Sequence, residues 1–386
     1  MEATKPESRT PKGSRRFSHK VSVVVPTYNV ERYLERCLSS LAAQTFNDFE
    51  VICVNDGSTD ASPNIVRGFA DRDKRFVLVN KENSGYGASM NVGLDRARGR
   101  YVAILESDDF FDPQALELLV YAAEAANAEV AKGNFWLYWS QPAEKRVPFS
   151  VVDGPMVGRT FCPRGDADIA VFFRKSSIWS AIYRRDFLEK NGIRFLETPG
   201  ASYQDVGFNF KVWAAANRAT FIADCVLCYR QDNEASSVKS SSKAYCVCDE
   251  YQAMAEYVNE HFSGSDAARL TGILERMKLD SYLWNYDRLD PSLRPAFVER
   301  ISYELADDVA MGRVDRKLFE PGAAADLDAL VSDPARFERS RKAYRAPGGS
   351  VLRYLALGGV PLLRDALSFK ARSQSVRRTN QEGAAL

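Results

Sequence analysis

Residues 101–112 read YVAILESDDFFD, an unbroken apolar run that ends in Glu106, Asp108 and Asp109. A short apolar run bounded by polar residues predicts a buried strand, and Asp112-Pro113 behind it predicts a helix start with Pro113 at the first helical position. The carboxylates then stand at a strand's C-terminal edge. Alternation along extended chain puts Glu106 and Asp108 on one side and Asp109 on the other. Two carboxylates ~4 Å apart repel by roughly 4 kcal/mol at an effective dielectric near 20, so a bare cluster is costly. A hard divalent cation carrying a ligand's phosphates would relieve it, because Mg2+ and Mn2+ take a few carboxylates plus substrate oxygens. The alternative is a solvated acidic loop.

Two further carboxylates sit at element ends. Asp56 follows a buried strand predicted over 49–54, in the loop Asn55-Asp56-Gly57-Ser58-Thr59-Asp60. Gly57 permits a tight turn and Asp60 or Ser62 can cap the next helix, but neither role accounts for Asp56. Asp205 opens a helix whose Phe208, Val212 and Trp213 form an apolar face. On local grounds it is an N-cap or first-turn acid worth about 1 kcal/mol.

The elements that must position these residues alternate in type. Residues 21–25 (VSVVV) predict a central strand bounded by Pro26. After the turn Thr27-Tyr28-Asn29, Tyr33, Leu34, Cys37, Leu38 and Leu41 recur at helical spacing. A third strand over 76–79 leads through Asn83-Ser84-Gly85-Tyr86-Gly87, read as a turn, into a helix carrying Ala88, Met90, Asn91 and Leu94. This alternation predicts an α/β fold with a mostly parallel sheet flanked by helices, and four loops converging on the crevice outside the strand ends where such sheets bind ligands.

These residues carry a resemblance. Val23-Val24-Val25-Pro26-Thr27-Tyr28-Asn29, then Val54 to Asp60, then Asn83-x-Gly85 with Asn91-x-Gly93, then Glu106-Ser107-Asp108-Asp109 follow the order and spacing of the signatures of family 2 glycosyltransferases. The chain resembles that family over roughly the first hundred residues after its tail, and ordered motifs are more specific than single ones. The resemblance implies a GT-A (Rossmann-like) fold, a nucleotide-sugar donor with UDP-sugar favoured, a Mn2+ or Mg2+ ion, inversion at the anomeric carbon, and a glycan or lipid-linked acceptor in bacterial surface-polysaccharide or glycolipid synthesis.

Residue by residue, Asp56 resembles the carboxylate that hydrogen-bonds the donor's base, and Pro26, Thr27 and Tyr28 the backbone bordering it. Asn83 falls with the donor-binding loops. Asp108 matches the metal-binding second Asp of the family's D-x-D, while Glu106 stands where the first Asp usually does, its longer side chain still able to reach a ribose hydroxyl or a metal-bound water. Gln204-Asp205 resembles an acidic pair whose second member is the catalytic base, with Gln replacing the first carboxylate. Direct displacement at a sugar carbon needs the acceptor hydroxyl deprotonated as it attacks, and a carboxylate within reach can do this. Arg230, ending a strand over 220–230, resembles a late basic residue that holds the pyrophosphate, and guanidinium suits phosphate oxygens; a surface Arg is the alternative. The Ser-rich stretch after it would suit a mobile lid. Two other readings stay open: a nucleotidyltransferase, although Thr27-Tyr28-Asn29 supplies no basic residue for phosphates, and a GT-A-like binding protein without catalysis, which Glu106 and Gln204 keep alive.

Strands are also predicted over 129–139, whose Phe135, Trp136, Tyr138 and Trp139 could stack on a sugar or fill a core, and over 177–184. From about residue 244 the pattern turns helical, over 249–262, 267–284 and 291–311. The expected organisation is a disordered basic tail (1–20), a catalytic domain (21–243) and a helical C-terminal domain (244–386) serving acceptor binding, homodimerisation or support. Its segment 351–378 is amphipathic and basic, suited to packing, a partner or a membrane surface, with Gly358, Gly359 and Pro361 interrupting any single helix.

The chain of 386 residues, 45% hydrophobic and 27% charged, is globular in composition, and a net charge of +1 excludes any whole-chain pull towards nucleic acid. No apolar run is long enough to span a bilayer, which argues against a membrane-embedded synthase, and residues 1–20 lack a signal peptide's apolar stretch. A cytoplasmic chain, peripheral at the inner face of the plasma membrane if the C-terminal segment meets lipid, is expected. Seven cysteines, an odd number, suit a reducing compartment. Cys225, Cys228, Cys246 and Cys248 read as core thiols rather than zinc ligands, because the second pair is CxC and the first would point to opposite strand faces.

Overall fold

The computed structural model describes residues 19–152, 154–165, 168–233, 244–344 and 349–383. The tail up to residue 18 and the Ser-rich stretch read as a lid, from residue 234, lie outside the described residues. His19 and Lys20, assigned to the tail, instead open β1 (His19–Thr27), where His19 pairs with Gly99 and the Lys20 N–H donates to Asp48 O at 3.1 Å.

The first half alternates as expected. β1 is followed by α1 (Glu31–Ala42), β2 (Phe49–Asp56), α2 (Ser62–Arg72), β3 (Phe76–Lys81), α3 (Tyr86–Arg96) and β4 (Gly99–Ile104). Then come β5 (Phe110–Phe111), α4 (Ala115–Ala125), β6 (Val130–Trp139), β7 (Lys145–Phe149), β8 (Thr160–Phe161), β9 (Ala181–Arg184), α5 (Arg185–Lys190), α6 (Gln204–Ala215) and β10 (Ala219–Arg230). They build one sheet of order β3-β2-β1-β4-β9-β6-β10-β5, with β7 on β6 and β8 on β10. The pairs β3-β2, β2-β1 and β1-β4 are parallel, as is β6-β10, while β9 lies antiparallel to both β4 and β6. The sheet is thus parallel where the alternating pattern is strict and mixed beyond it. β2 is buried at every residue, which needs cover on both faces.

Three local expectations change. α4 starts at Ala115, not Pro113, because the Pro113 carbonyl accepts from Thr45 N–H at 3.0 Å and the helix start is served from a distance, Leu116 N–H donating to Gln44 Oε1 at 3.1 Å. Residues 177–184 are strand only from Ala181, after a 3-10 turn over Ile178–Ser180. The acids after β4 do not continue an extended strand: Asp109 N–H donates to Glu106 O at 3.0 Å, closing a turn. The alternation that would have pointed Asp109 away from the others therefore does not hold.

The helical region is α7 (Cys246–His261), α8 (Gly264–Arg288), α9 (Arg294–Ala310), α10 (Pro321–Ser332), α11 (Pro334–Tyr344) and α12 (Gly349–Gly383), the last broken at Gly359 (φ 69°) beside Pro361. One apolar cluster runs from the sheet into α7, α8, α9 and α10. Polar contacts cross the same border: Tyr203 Oη donates to Asn285 Oδ1 at 2.9 Å, and Tyr257 Oη to Asn191 O at 2.9 Å.

Candidate active site

Three parallel strands deliver their C-terminal ends to one cleft. Pro26 and Thr27 end β1, with Tyr28 and Val30 just after it, Asp56 ends β2, and Glu106 and Ser107 follow β4. With Tyr86 and Ser89 of α3 and Gly200-Ala201 before α6, they line a cavity of about 340 Å³. Tyr28 stands at the lip, 51% exposed. The loops are tied to one another before any ligand arrives. Asn29 Oδ1 accepts from Thr59 N–H at 2.8 Å, and Asp60 accepts from the first-turn amides Glu31 N–H and Ser62 N–H at 2.9 and 3.0 Å, serving α1 and α2 together.

Asp56 is buried and held by the loop after β3. One oxygen accepts from Lys81 Nζ and from Ser84 N–H at 2.9 Å, the other from Gly85 N–H at 3.0 Å. A carboxylate has about four acceptor sites, so the second oxygen keeps room for one further donor. Asn83, placed by sequence among the donor-binding residues, is exposed and not among the cavity's lining; its backbone packs on Gly57.

The Asn83-x-Gly85 and Asn91-x-Gly93 signatures do another job. A Cβ at Gly85 (φ 97°) would lie 2.7 Å from Thr198 O, and one at Gly87 would overlap Leu196 O. Both positions therefore admit the 196–200 loop by close backbone approach, beyond the turn that local reading assigns them. Tyr86 N–H donates to Gly200 O at 3.0 Å, and Asn91 grips Phe195 through both its amide atoms at 3.0 Å. The loop so docked leads straight into α6 and Asp205.

Around that junction the acids gather. Tyr86 Oη donates to Glu106 Oε1 at 2.6 Å. Burial pushes Glu106 up to about 8, helped by the charges of Asp108 and Asp205 and opposed by the Tyr86 bond. Burial likewise raises Asp109 well above the carboxylate range, with Asp108 adding to it. Asp109 Oδ1 accepts from Arg230 N–H at 2.8 Å, while its buried Oδ2 has no hydrogen-bond partner among the described residues. Asp205 is raised to about 6 by burial, against the Val206 N–H and the charge of Lys175. Gln204 is absorbed structurally, its amide donating to Thr198 Oγ1 at 2.8 Å and accepting from Ser202 N–H at 2.6 Å.

Arg230 is buried and engaged. Its Nε donates to Asp108 O at 2.9 Å, NH1 reaches Asp232 at 3.3 Å, and the guanidinium stacks between the rings of Tyr33 and Tyr138. In this arrangement it braces the acidic turn rather than facing an open phosphate site. Of the aromatics on β6, Phe135 and Tyr138 are core residues.

A divalent cation suits this donor set in one form only. Among the described residues no group of three or more His, Cys, Asp or Glu side chains is arranged to hold an ion. The orphaned Asp109 oxygen and the half-buried Asp108, whose carboxylate accepts from Asn233 at 2.7 Å, instead fit an ion shared between one or two carboxylates and the phosphates of a bound nucleotide. A larger cavity, about 570 Å³, opens between α7, α8 and α9. Its charges are paired among themselves, Lys278 with Asp308 at 2.5 Å and Arg313 with Asp307 at 2.9 Å, as befits stitching between helices.

Residues 22–190 match the family model described as Glycosyl transferase family 2. The glycosyltransferase GlyG of Streptococcus pneumoniae is 30% identical over 225 residues, which are 56% of this chain and 72% of GlyG. The chain belongs to glycosyltransferase family 2. The glycosyltransferase GlyA of the same organism is 30% identical over 222 residues, 55% of this chain but 30% of GlyA. Three further relatives are matched over 60–64% of their own lengths, so the shared part is less than two thirds of most of these proteins. In three dimensions residues 1–349 of S. aureus TarS, solved in complex with UDP-GlcNAc, align with TM-score 0.67 at 22% identity, covering 84% of this chain and 91% of that one. That likeness establishes the GT-A-type α/β fold.

Sequence reasoning missed several members of the site. Tyr86 lies between two glycines whose packing role is invisible locally, and Lys81 ends β3 with no motif of its own. Glu250 of α7 is buried against Gly207 of α6, where its carboxylate lies close enough to feel the charge of Asp205. Nothing in its local pattern distinguishes it from a surface acid of an amphipathic helix.

Proposed function

We propose that this family member is an inverting glycosyltransferase that moves a sugar from a UDP-sugar to a hydroxyl of a glycan or lipid-linked acceptor, in bacterial surface-polysaccharide or glycolipid synthesis, with residues 21–243 as its catalytic part. The observation that carries the reading is the meeting of Asp56 and Glu106 in one cleft at the ends of β2 and β4, where open α/β sheets take nucleotides, with Asp205 at the start of α6 near enough for its charge to raise Glu106. TarS, of the same fold, is known with UDP-GlcNAc, which supports the choice of donor.

Tyr28 at the lip offers its ring to the base, and the free acceptor site of Asp56 takes a base N–H. Tyr86 orients Glu106 towards the ribose and sugar side of the cleft. A Mn2+ or Mg2+ ion held at Asp108 would neutralise the departing diphosphate as a Lewis acid. Asp205, at the first turn of α6, takes the acceptor's proton as its oxygen attacks the anomeric carbon from the face opposite the diphosphate, and one displacement inverts that carbon. Arg230 keeps the acidic turn in place beneath the phosphates.

The test is turnover of a panel of nucleotide sugars with Mn2+, by wild type and Asp205→Asn. Release of UDP from one donor by the wild type and its loss in the variant are expected. Turnover retained by Asp205→Asn would remove the base assignment, and no release from any donor would favour a binding protein of the same fold.

A further inference from the structure

α12 is attached by one face and apolar on the other. Leu357 and Ala366 are buried, and the Arg353 guanidinium is paired with the buried Asp326 of α10, so the contact with the rest of the helical region is already made. The other side carries Val351, Leu352 and Leu355 at 40–44% exposure, Val360 at 69% and Leu367 at 58%. Among the described residues, the only other Val or Leu of comparable exposure is Val77. A surface helix normally turns charge outward, and exposed apolar residues gathered on one element mark an interaction face.

Charge says what covers it. Residues 349–383 hold six basic residues, including Arg364, Lys370 and Arg372, against Asp365 and Glu382, a net of +4 in a chain whose total is +1. The remainder of the chain is therefore net negative. Two copies meeting through this stripe would bring two such positive segments together, whereas an anionic surface neutralises them. No helix among the described residues is long and apolar enough to cross a membrane. The break at Gly359 divides the segment into two helices, each with an outward apolar side opposite its buried contacts, a form that lies along an interface rather than through it.

We infer that α12 docks the chain on an anionic phospholipid bilayer, with Val351, Leu352, Leu355, Val360 and Leu367 at the acyl boundary and Arg364 and Lys370 against head-group phosphates. The inference stands without the transferase reading; combined with it, the acceptor would be met at the membrane surface.

The full chain is sedimented with vesicles of phosphatidylcholine alone and of phosphatidylcholine with phosphatidylglycerol, alongside Leu352→Glu/Leu355→Glu and Arg364→Glu/Lys370→Glu, and each protein's melting and mass in solution are measured. Wild type should sediment with the anionic vesicles, be released by high salt, and bind neutral vesicles weakly. Either double variant should lower the bound-to-free ratio by roughly tenfold or more at unchanged melting temperature, since each basic residue adds attraction near an anionic surface. Wild type left in the supernatant with anionic vesicles overturns the inference, as does a Leu352→Glu/Leu355→Glu variant that binds like wild type. A wild-type dimer dissociated by the leucine substitutions, with no vesicle binding, overturns it in favour of a second copy as the occupant.

Discussion

Asp205→Asn separates the chemistry of the proposed base from its effect on stability. Burial raises this carboxyl from 3.8 to about 6. At 1.36 kcal/mol per unit that is about 3 kcal/mol of differential interaction, and because the side chain keeps a partly open edge, screening leaves about 1–2 kcal/mol. The folded pKa lies above the unfolded one, so the favourable state is the protonated one. Stability is intact below pH ~4, falls as pH rises towards 6, and the full penalty is present above it. Asparagine cannot ionise and its carbonyl oxygen can still accept from Val206 N–H. In ligand-free protein at pH 8 the variant should therefore be more stable than wild type by about 1–2 kcal/mol by urea unfolding, and at pH 4 the two should coincide. Turnover by the wild type should rise with pH through a midpoint near 6, and the variant should lose about 10²–10⁴-fold. Equal stability differences at both pH values would refute the electrostatic account. A variant within about tenfold of wild-type turnover would refute the catalytic one.

Three further outcomes are expected. With Mn2+ and UDP at 100 times its dissociation constant, wild type should gain about 2.7 kcal/mol and Asp108→Asn should lose most of that gain; equal thermal shifts would remove Asp108 from the ion's site. Gly87→Ala puts a methyl into the Leu196 carbonyl, and overpacking of this kind costs about 1–3 kcal/mol, so it should destabilise by that amount and slow turnover by shifting the loop that carries Asp205; a neutral result in both would show that the loop docks otherwise. Lys132 is buried in β6 with the Ser177 carbonyl as partner, and burial lowers its pKa from 10.5 to about 7. Stability should therefore rise with pH between 7 and 10, and Lys132→Met should be about 2–3 kcal/mol more stable than wild type at pH 7; a destabilised variant would mean that the ammonium has a better partner than the Ser177 carbonyl.

The strands β1, β2 and β4 were legible because a continuous β-branched or apolar run has few uses other than a strand buried on both faces, and the acids at their ends stand out against it. Asp56, Glu106 and Asp108 stood out because a charge at a strand's end is a local feature, whereas Asp205 read locally as a helix-start acid and was singled out only by the family resemblance. The packing of the 196–200 loop on Gly85 and Gly87 was not legible, since a glycine reads the same whether it serves a turn or admits a carbonyl from over a hundred residues away. For Arg230 the local pattern left a pyrophosphate contact and a surface arginine both open, and only the fold shows it buried between Tyr33 and Tyr138 and against the acidic turn. The antiparallel placement of β9 between β4 and β6 also depends on partners distant in the chain. Sequence alone determined which residues carry charge at the ends of which elements, because side-chain type and periodicity are local properties. Tertiary structure decided which of those charges meet, how far burial shifts them and which are already satisfied, because these depend on the dielectric and the hydrogen-bond partners that only the assembled chain supplies.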